Sequence, residues 1–296
     1  MSSYLESTAR ERLARLFDAG SFQEFLPPSS RIVSPHLGQL NAPVAFDDGV
    51  AVGRALLDNR PVFVAAQEGG FMGGAVGEVH GAKLVGMLRR AILDAPDAVV
   101  LLLETGGVRL HEANAGLIAV SEVMRAVLDV RAAGIPVIAL VGGANGCFGG
   151  MGIVARCTNA VIMSEEGRLA MSGPEVIETA SGVEEFDARD RALVWRTTGG
   201  KHRYLLGDCQ ALVADSIDDF RAAAIAQLET TISPALTLDA LEQEQALLAA
   251  RLENFGHVRE PYDLWRTLGV PDPEALPLLE AEAFVALVDS HRLGAR

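Results

Sequence analysis

Cysteine is scarce in this chain of 296 residues. Cys147, Cys157 and Cys209 are odd in number and show no C-x-x-C pairing, which excludes a disulfide framework and a zinc ribbon and leaves three thiols expected in the core. Lysine is scarcer still. Of 25 basic residues only Lys83 and Lys201 are lysines, and neither stands in a Met-Lys-Met context. The chain is therefore not expected to carry biotin, and Schiff-base chemistry has few candidates. Long apolar runs are missing too: no stretch reaches the roughly 20 uninterrupted residues that span a bilayer, and Met1 to Glu11 lacks the apolar core of a signal peptide. A cytoplasmic protein without membrane contact of its own is expected. Positive charge is in deficit, at a net −14, which argues against a nucleic-acid or anionic-membrane surface because such partners are held by clustered cations.

What the chain does have is apolar substance, 49% of its residues, and 30 glycines. The first is ample for a sizeable core. The glycines gather in turns. Gly142 to Gly152, Gly-Gly-Ala-Asn-Gly-Cys-Phe-Gly-Gly-Met-Gly, follows the apolar run Ile135 to Val141, and Glu104 to Arg109, Glu-Thr-Gly-Gly-Val-Arg, ends the apolar run Val99 to Leu103. Glycine admits positive φ and close approach to the main chain, and a helix starting near Gly149 leaves N–H groups aimed outward. Two such turns at the ends of neighbouring buried strands can each supply one amide to a single carbonyl oxygen, an oxyanion hole. The competing explanation is a tight strand-to-helix crossover built from small residues for packing. A third turn, Phe71 to Gly77, contains Gly73 and Gly74.

The order of elements points to an α/β fold. Ser7 to Phe17 reads as a short amphipathic helix, 27–43 as an extended connection, and Gly49–Leu57 with Pro61–Gln67 as a hairpin through Asn59. Then a unit repeats: strand Val99–Leu103, helix Ala113–Arg131, strand Pro136–Val141, helix Gly149–Arg156, strand Ala160–Met163. Continuous apolar strands alternating with amphipathic helices imply a parallel sheet with crossover helices. Leu238, Leu241, Gln245, Leu248, Leu252 and Phe255 form an a/d-type seam that fits either a partner or the chain's own domain. Residues 1–235 are expected as one domain, and 236–296 as a helical extension at a subunit interface.

Phe-Met-Gly-Gly at 71–74, Gly-Gly-Val-Arg at 106–109, Gly-Cys-Phe-Gly-Gly-Met-Gly at 146–152 and Gly-Pro-Glu-Val-Ile at 173–177 resemble, in that order, the acyl-CoA carboxyltransferase β-type domain over roughly residues 7–220. Glu-Thr-Gly-Gly-Val-Arg-Leu, Glu-Ala-Asn-Ala-Gly-Leu and Glu-Phe-Asp-Ala-Arg-Asp-Arg-Ala-Leu-Val-Trp-Arg-Thr-Thr-Gly-Gly look like the β subunits of biotin-independent malonate decarboxylases. The resemblance implies a crotonase-like ββα superhelix of the carboxyltransferase N-terminal type. It also implies a heterodimer with a γ subunit, and decarboxylation of a malonyl thioester to an acetyl thioester and CO2. The substrate would ride on the CoA-like prosthetic group of an acyl carrier protein subunit, loaded by an acyl-transferase subunit. The chain itself would bind no cofactor, biotin, zinc or other metal. Acetyl-CoA carboxylase β subunits are similar but usually begin with a four-cysteine zinc ribbon, whereas no cysteine precedes Cys147 here. Alternatives are the β subunit of a biotin-dependent acyl-CoA carboxyltransferase and a scaffold for a catalytic γ subunit.

Loss of CO2 leaves an enolate, so the oxygen that collects the charge must meet preorganised donors. The candidates are the main chains of Gly106, Gly107 and Val108 in one loop and of Gly146, Cys147, Phe148, Gly149 and Gly150 in the other. Expected substrate contacts are Gly73, Gly74, Arg109, Lys201 and Arg203, although Arg109 could instead pair with Glu112. His111 could protonate the carbanion or simply cap a helix, and Cys147 is expected to be a packed neutral thiol.

Overall fold

The structure is a computed structural model that describes residues 2–231 and 237–294. The expected boundary between 235 and 236 lies outside the described residues. In chain order the helices and strands are α1 (Ala9–Leu16), β1 (Gln23–Glu24), β2 (Val50–Leu57), β3 (Arg60–Gln67), α2 (Glu78–Asp94), β4 (Ala98–Leu103), α3 (Asn114–Ala132), β5 (Val137–Val141) and α4 (Gly150–Cys157). They continue with β6 (Ala160–Ser164), α5 (Pro174–Ser181), α6 (Arg191–Thr198), α7 (Gly200–Leu205), β7 (Ala211–Val213), α8 (Ile217–Thr230), α9 (Leu238–Phe255), α10 (Pro261–Thr267) and α11 (Ala281–Val288).

The seven strands form one sheet in sequence order, antiparallel from β1 to β3 and parallel from β3 to β7. Every residue of β4, β5 and β6 is buried, because helices cover both faces of the sheet. Alternation along one strand divides the core in two. Val99, Leu101 and Leu103 enter a cluster with α2, α3 and α4, whereas Ala98, Val100 and Leu102 enter a second cluster with α1 and α8.

Strand register brings the glycine loops together. Leu103 pairs with Val141 and Val141 with Met163, so β4, β5 and β6 end nearly level and their loops leave the carboxyl edge side by side. That edge is where open α/β sheets place ligands. The expected hairpin is β2–β3, turning at Asp58 and Asn59, both with positive φ. Helix α1 buries Leu13 and Leu16 and is closed by a capping box between Thr8 and Glu11.

The C-terminal residues join the first cluster through Trp265, Leu276, Ala281, Phe284 and Val288. Helix α9 has the bounds expected from its seam but no buried residue, and Leu238, Leu241, Leu248 and Leu252 face outward. Phe284→Ala is expected to lower stability by about 3–5 kcal/mol through the cavity it leaves. An unchanged urea midpoint would show that α11 adds nothing to the core.

Candidate active site

The loops after β4 and β5 are stapled to each other by their own main chains. Thr105 N–H donates to the Gly146 carbonyl at 2.8 Å, and Phe148 N–H returns the bond to the Thr105 carbonyl at 3.0 Å. Gly106 N–H donates to Gly73 O, Gly107 N–H to Thr105 Oγ1, Gly146 N–H to Gly143 O, Cys147 N–H to Arg168 O and Gly149 N–H to Met171 O. Six of the eight candidate amides are therefore spent on building the loops and cannot also serve an external oxygen. Among the described residues the other two, Val108 and Gly150, have no internal acceptor. Each adjoins one of two glycines that face each other across the loops: a Cβ added at Gly149, which sits at φ +64°, would stand 3.1 Å from the Gly107 Cα. Gly150 is also the first residue of α4, where the helix field favours negative charge.

Glu104 anchors this arrangement from below. Its carboxylate accepts from Arg12 Nη1 at 2.5 Å, from Asn145 N–H at 3.2 Å and from Asn145 Nδ2 at 3.3 Å. Gly69 and Gly143 lie against the same carboxylate, where any Cβ would overlap it. Arg12 and Glu104 are both buried, so each charge depends on the other.

Arg109 belongs to the frame and has no surface to offer a substrate. Its side chain is wholly buried, with Nη1 donating to Asp48 Oδ2 at 2.9 Å and Glu112 Oε2 at 3.3 Å, and Nη2 to the carbonyls of Ala75 and Asp48. Of the two readings the sequence left open, the pair with Glu112 is the one present. Burial raises the Asp48 carboxyl pKa, while Arg109 acts in the opposite direction. His80 beside it is driven down to about 3 by burial and stays neutral, 3.1 Å from Gln67 Nε2. Sequence reasoning missed Arg12, Asp48, His80 and Glu104, whose partners lie far away along the chain.

The remaining candidates scatter. Gly73 contributes its carbonyl to Gly106, and a Cβ at Gly74 would overlap the Glu104 carbonyl, so the third turn lies across the first loop. Lys201 Nζ is held by Glu165 and by the Pro277 and Leu279 carbonyls, and Arg203 by Asp208 and the Thr197 carbonyl. These contacts tie α7 to its neighbours. His111 is exposed on the turn before α3. Cys147 is fully buried and its thiol is pushed up to about 12 by desolvation, which removes it as a nucleophile near neutral pH. Segments flanking the loops carry Leu110, Leu117, Ile118, Met171 and Val176, each more than half exposed.

The fold is a mixed α/β fold of crotonase-like form, and its level pair of glycine loops leaves one uncommitted amide on each. The chain belongs to the carboxyl transferase domain family, which matches residues 6–214. It is 43% identical over 302 aligned residues to the malonyl-S-ACP:biotin-protein carboxyltransferase of Malonomonas rubra, covering 96% of this chain and 95% of that protein. It is 40% identical to a subunit in the crystal structure of a Pseudomonas malonate decarboxylase hetero-tetramer in complex with malonate, with a TM-score of 0.81 over 88% of this chain and 94% of that one. A subunit of a Pseudomonas malonate decarboxylase hetero-dimer matches at 38% identity and a TM-score of 0.67, over 84% of this chain and 96% of that one.

In the folded protein, iodoacetamide at pH 8 is expected to leave Cys147 unmodified, because the thiolate that reacts is suppressed by burial. Rapid alkylation of Cys147 in the native state, read by peptide mass spectrometry, would contradict the neutral packed thiol.

Proposed function

We propose that the chain is the β subunit of a malonate decarboxylase, acting on a malonyl thioester presented by an acyl carrier protein. In this reading the thioester carbonyl oxygen lies between the Val108 and Gly150 amides. The bond between the α-carbon and the carboxylate breaks, CO2 departs, and the electron pair moves into an enolate whose oxygen is met by both N–H groups. A proton delivered to the α-carbon completes the acetyl thioester. The amides do not titrate and are already oriented, so they favour the enolate over the neutral carbonyl, and removing one such donor typically costs ~10²–10³ in rate. The observation that carries the proposal is the pair of unspent amides beside facing glycines.

The apolar rim around those amides suits a γ subunit that would close the site against water, with an acyl-transferase subunit loading the carrier. On this reading residues 1–235 bear the chemistry, and the outward seam of α9 in 236–296 meets another subunit. No biotin takes part.

A second reading has its own support, since the Malonomonas rubra relative is named for transfer to a biotin protein. The same two amides would then stabilise the same enolate, with the carboxyl group captured by biotin on another subunit. Purifying the chain with its co-expressed partners and measuring CO2 release from malonyl thioester with and without avidin separates them. Release indifferent to avidin is expected, and inhibition would select the carboxyl transfer.

A further inference from the structure

A cavity of about 620 Å³ runs along α2, inside the ~300–1,000 Å³ range of small-molecule sites, and none of its lining residues belongs to the glycine loops. On the helix side the lining includes Val79, Ala82, Lys83, Gly86, Arg90 and Asp94, whose spacings of three and four place them on one face. From Val79 to Asp94 that face extends on the order of 22 Å along the helix axis, at ~1.5 Å per residue. Ala82 and Gly86 hollow it, since a Cβ at Gly86 would meet nothing within 4 Å. Strand β2 and the segment that begins with Phe25 close the other side. Phe25 and Ile32 line the cavity and are each 36% exposed, so apolar surface is left for a ligand to cover.

Charge narrows the ligand. Lys83 is only 4% exposed, and its ammonium donates to the carbonyls of Asp47 at 2.9 Å and Val50 at 2.6 Å. Its third N–H has no acceptor, and no carboxylate lies within ion-pair distance of it, among the described residues. Burial lowers its pKa, which an anion beside it would oppose. Arg54 also lacks a carboxylate partner among the described residues, its Nε and Nη2 both donating to Gln23 Oε1. The one lining carboxylate, Asp94, is matched by Arg90 at 2.8 Å. In a chain of net charge −14 this cavity thus carries two cations in excess. A neutral apolar ligand would leave the buried ammonium uncompensated, and a small ion without an apolar body would leave Phe25 and Ile32 in water. One spare ammonium N–H and one guanidinium suit a singly charged head group better than a phosphate dianion.

We propose that this groove binds a free medium-chain aliphatic carboxylate, its head drawn to Lys83 and Arg54 and its tail laid over Ala82 and Gly86 against Phe25, Ile32 and Met87. The site takes no part in the thioester chemistry, so it stands whether the glycine loops serve decarboxylation or carboxyl transfer.

Displacement of dansylundecanoic acid from the full-length protein, read by fluorescence, provides the test. Decanoate is expected to compete at least roughly tenfold more tightly than decanol, which lacks the charge, or acetate, which lacks the tail. Lys83→Met is expected to weaken decanoate at least roughly tenfold and to leave decanol unchanged, and Arg54→Met reads the same loss of head-group contact should the first variant fail to fold. Gly86→Leu fills the hollow with a good helix former and is expected to abolish binding of both compounds without lowering Tm. Decanol competing as well as decanoate, unchanged decanoate binding in folded Lys83→Met or in Gly86→Leu, or no displacement at all would overturn the proposal. Loss of the dansyl signal when the chain is purified with its co-expressed partners would also overturn it, in favour of a groove filled by a segment of another subunit.

Discussion

Two missing β-carbons govern this structure. Gly107 and Gly149 face each other across the two loops: a Cβ at Gly149 would press to 3.1 Å on the Gly107 Cα, and both sit at positive φ, +124° and +64°, a conformation that glycine adopts without strain. Closure lets each loop satisfy the other's amides, through Thr105, Gly146 and Phe148, until Val108 and Gly150 are the candidate donors left over. Buried amides are almost always paired, so a site made of main chain arises by exhausting internal acceptors everywhere except where a ligand is wanted.

Such donors are useful only if they do not move, and the buried charges supply that stiffness. Arg12 and Glu104 fix the base of both loops, while Arg109 ties the far end of the first loop to Asp48 and Glu112. Ion pairs of this kind are weak evidence for net stability, but removing one partner leaves an uncompensated charge costing about 3–5 kcal/mol, so they resist distortion. Burial keeps His80 and Cys147 neutral.

The sheet was legible in the sequence because β4, β5 and β6 are apolar throughout and end in glycine turns, a pattern that only a doubly covered parallel sheet explains. The helix Leu238–Phe255 was legible from its three-and-four spacing, although the four leucines of its seam face outward and Phe255 at its end packs against the core. The two glycine loops were found, but the choice among their eight amides was not. Whether an N–H is free depends on carbonyls such as those of Gly73, Arg168 and Met171, whose positions no local pattern encodes. Arg12 and Glu104 stand 92 residues apart, so their pairing had no local signal either. β7, only three residues long, is defined by its neighbour β6 more than by its own composition.

The most direct measurement compares two variants at one position, of which only one keeps the main-chain N–H. Gly150 is the first residue of α4, a position where proline is well tolerated, and Val120 is the neighbour an added side chain would strike. In a Val120→Ala background, Gly150→Ala keeps the amide and Gly150→Pro removes it. The account predicts a kcat for malonyl-thioester decarboxylation ~10²–10³ lower in the proline variant than in the alanine variant, with similar KM. Equal kcat values in two folded, assembled complexes would contradict the assignment of this amide to the oxyanion.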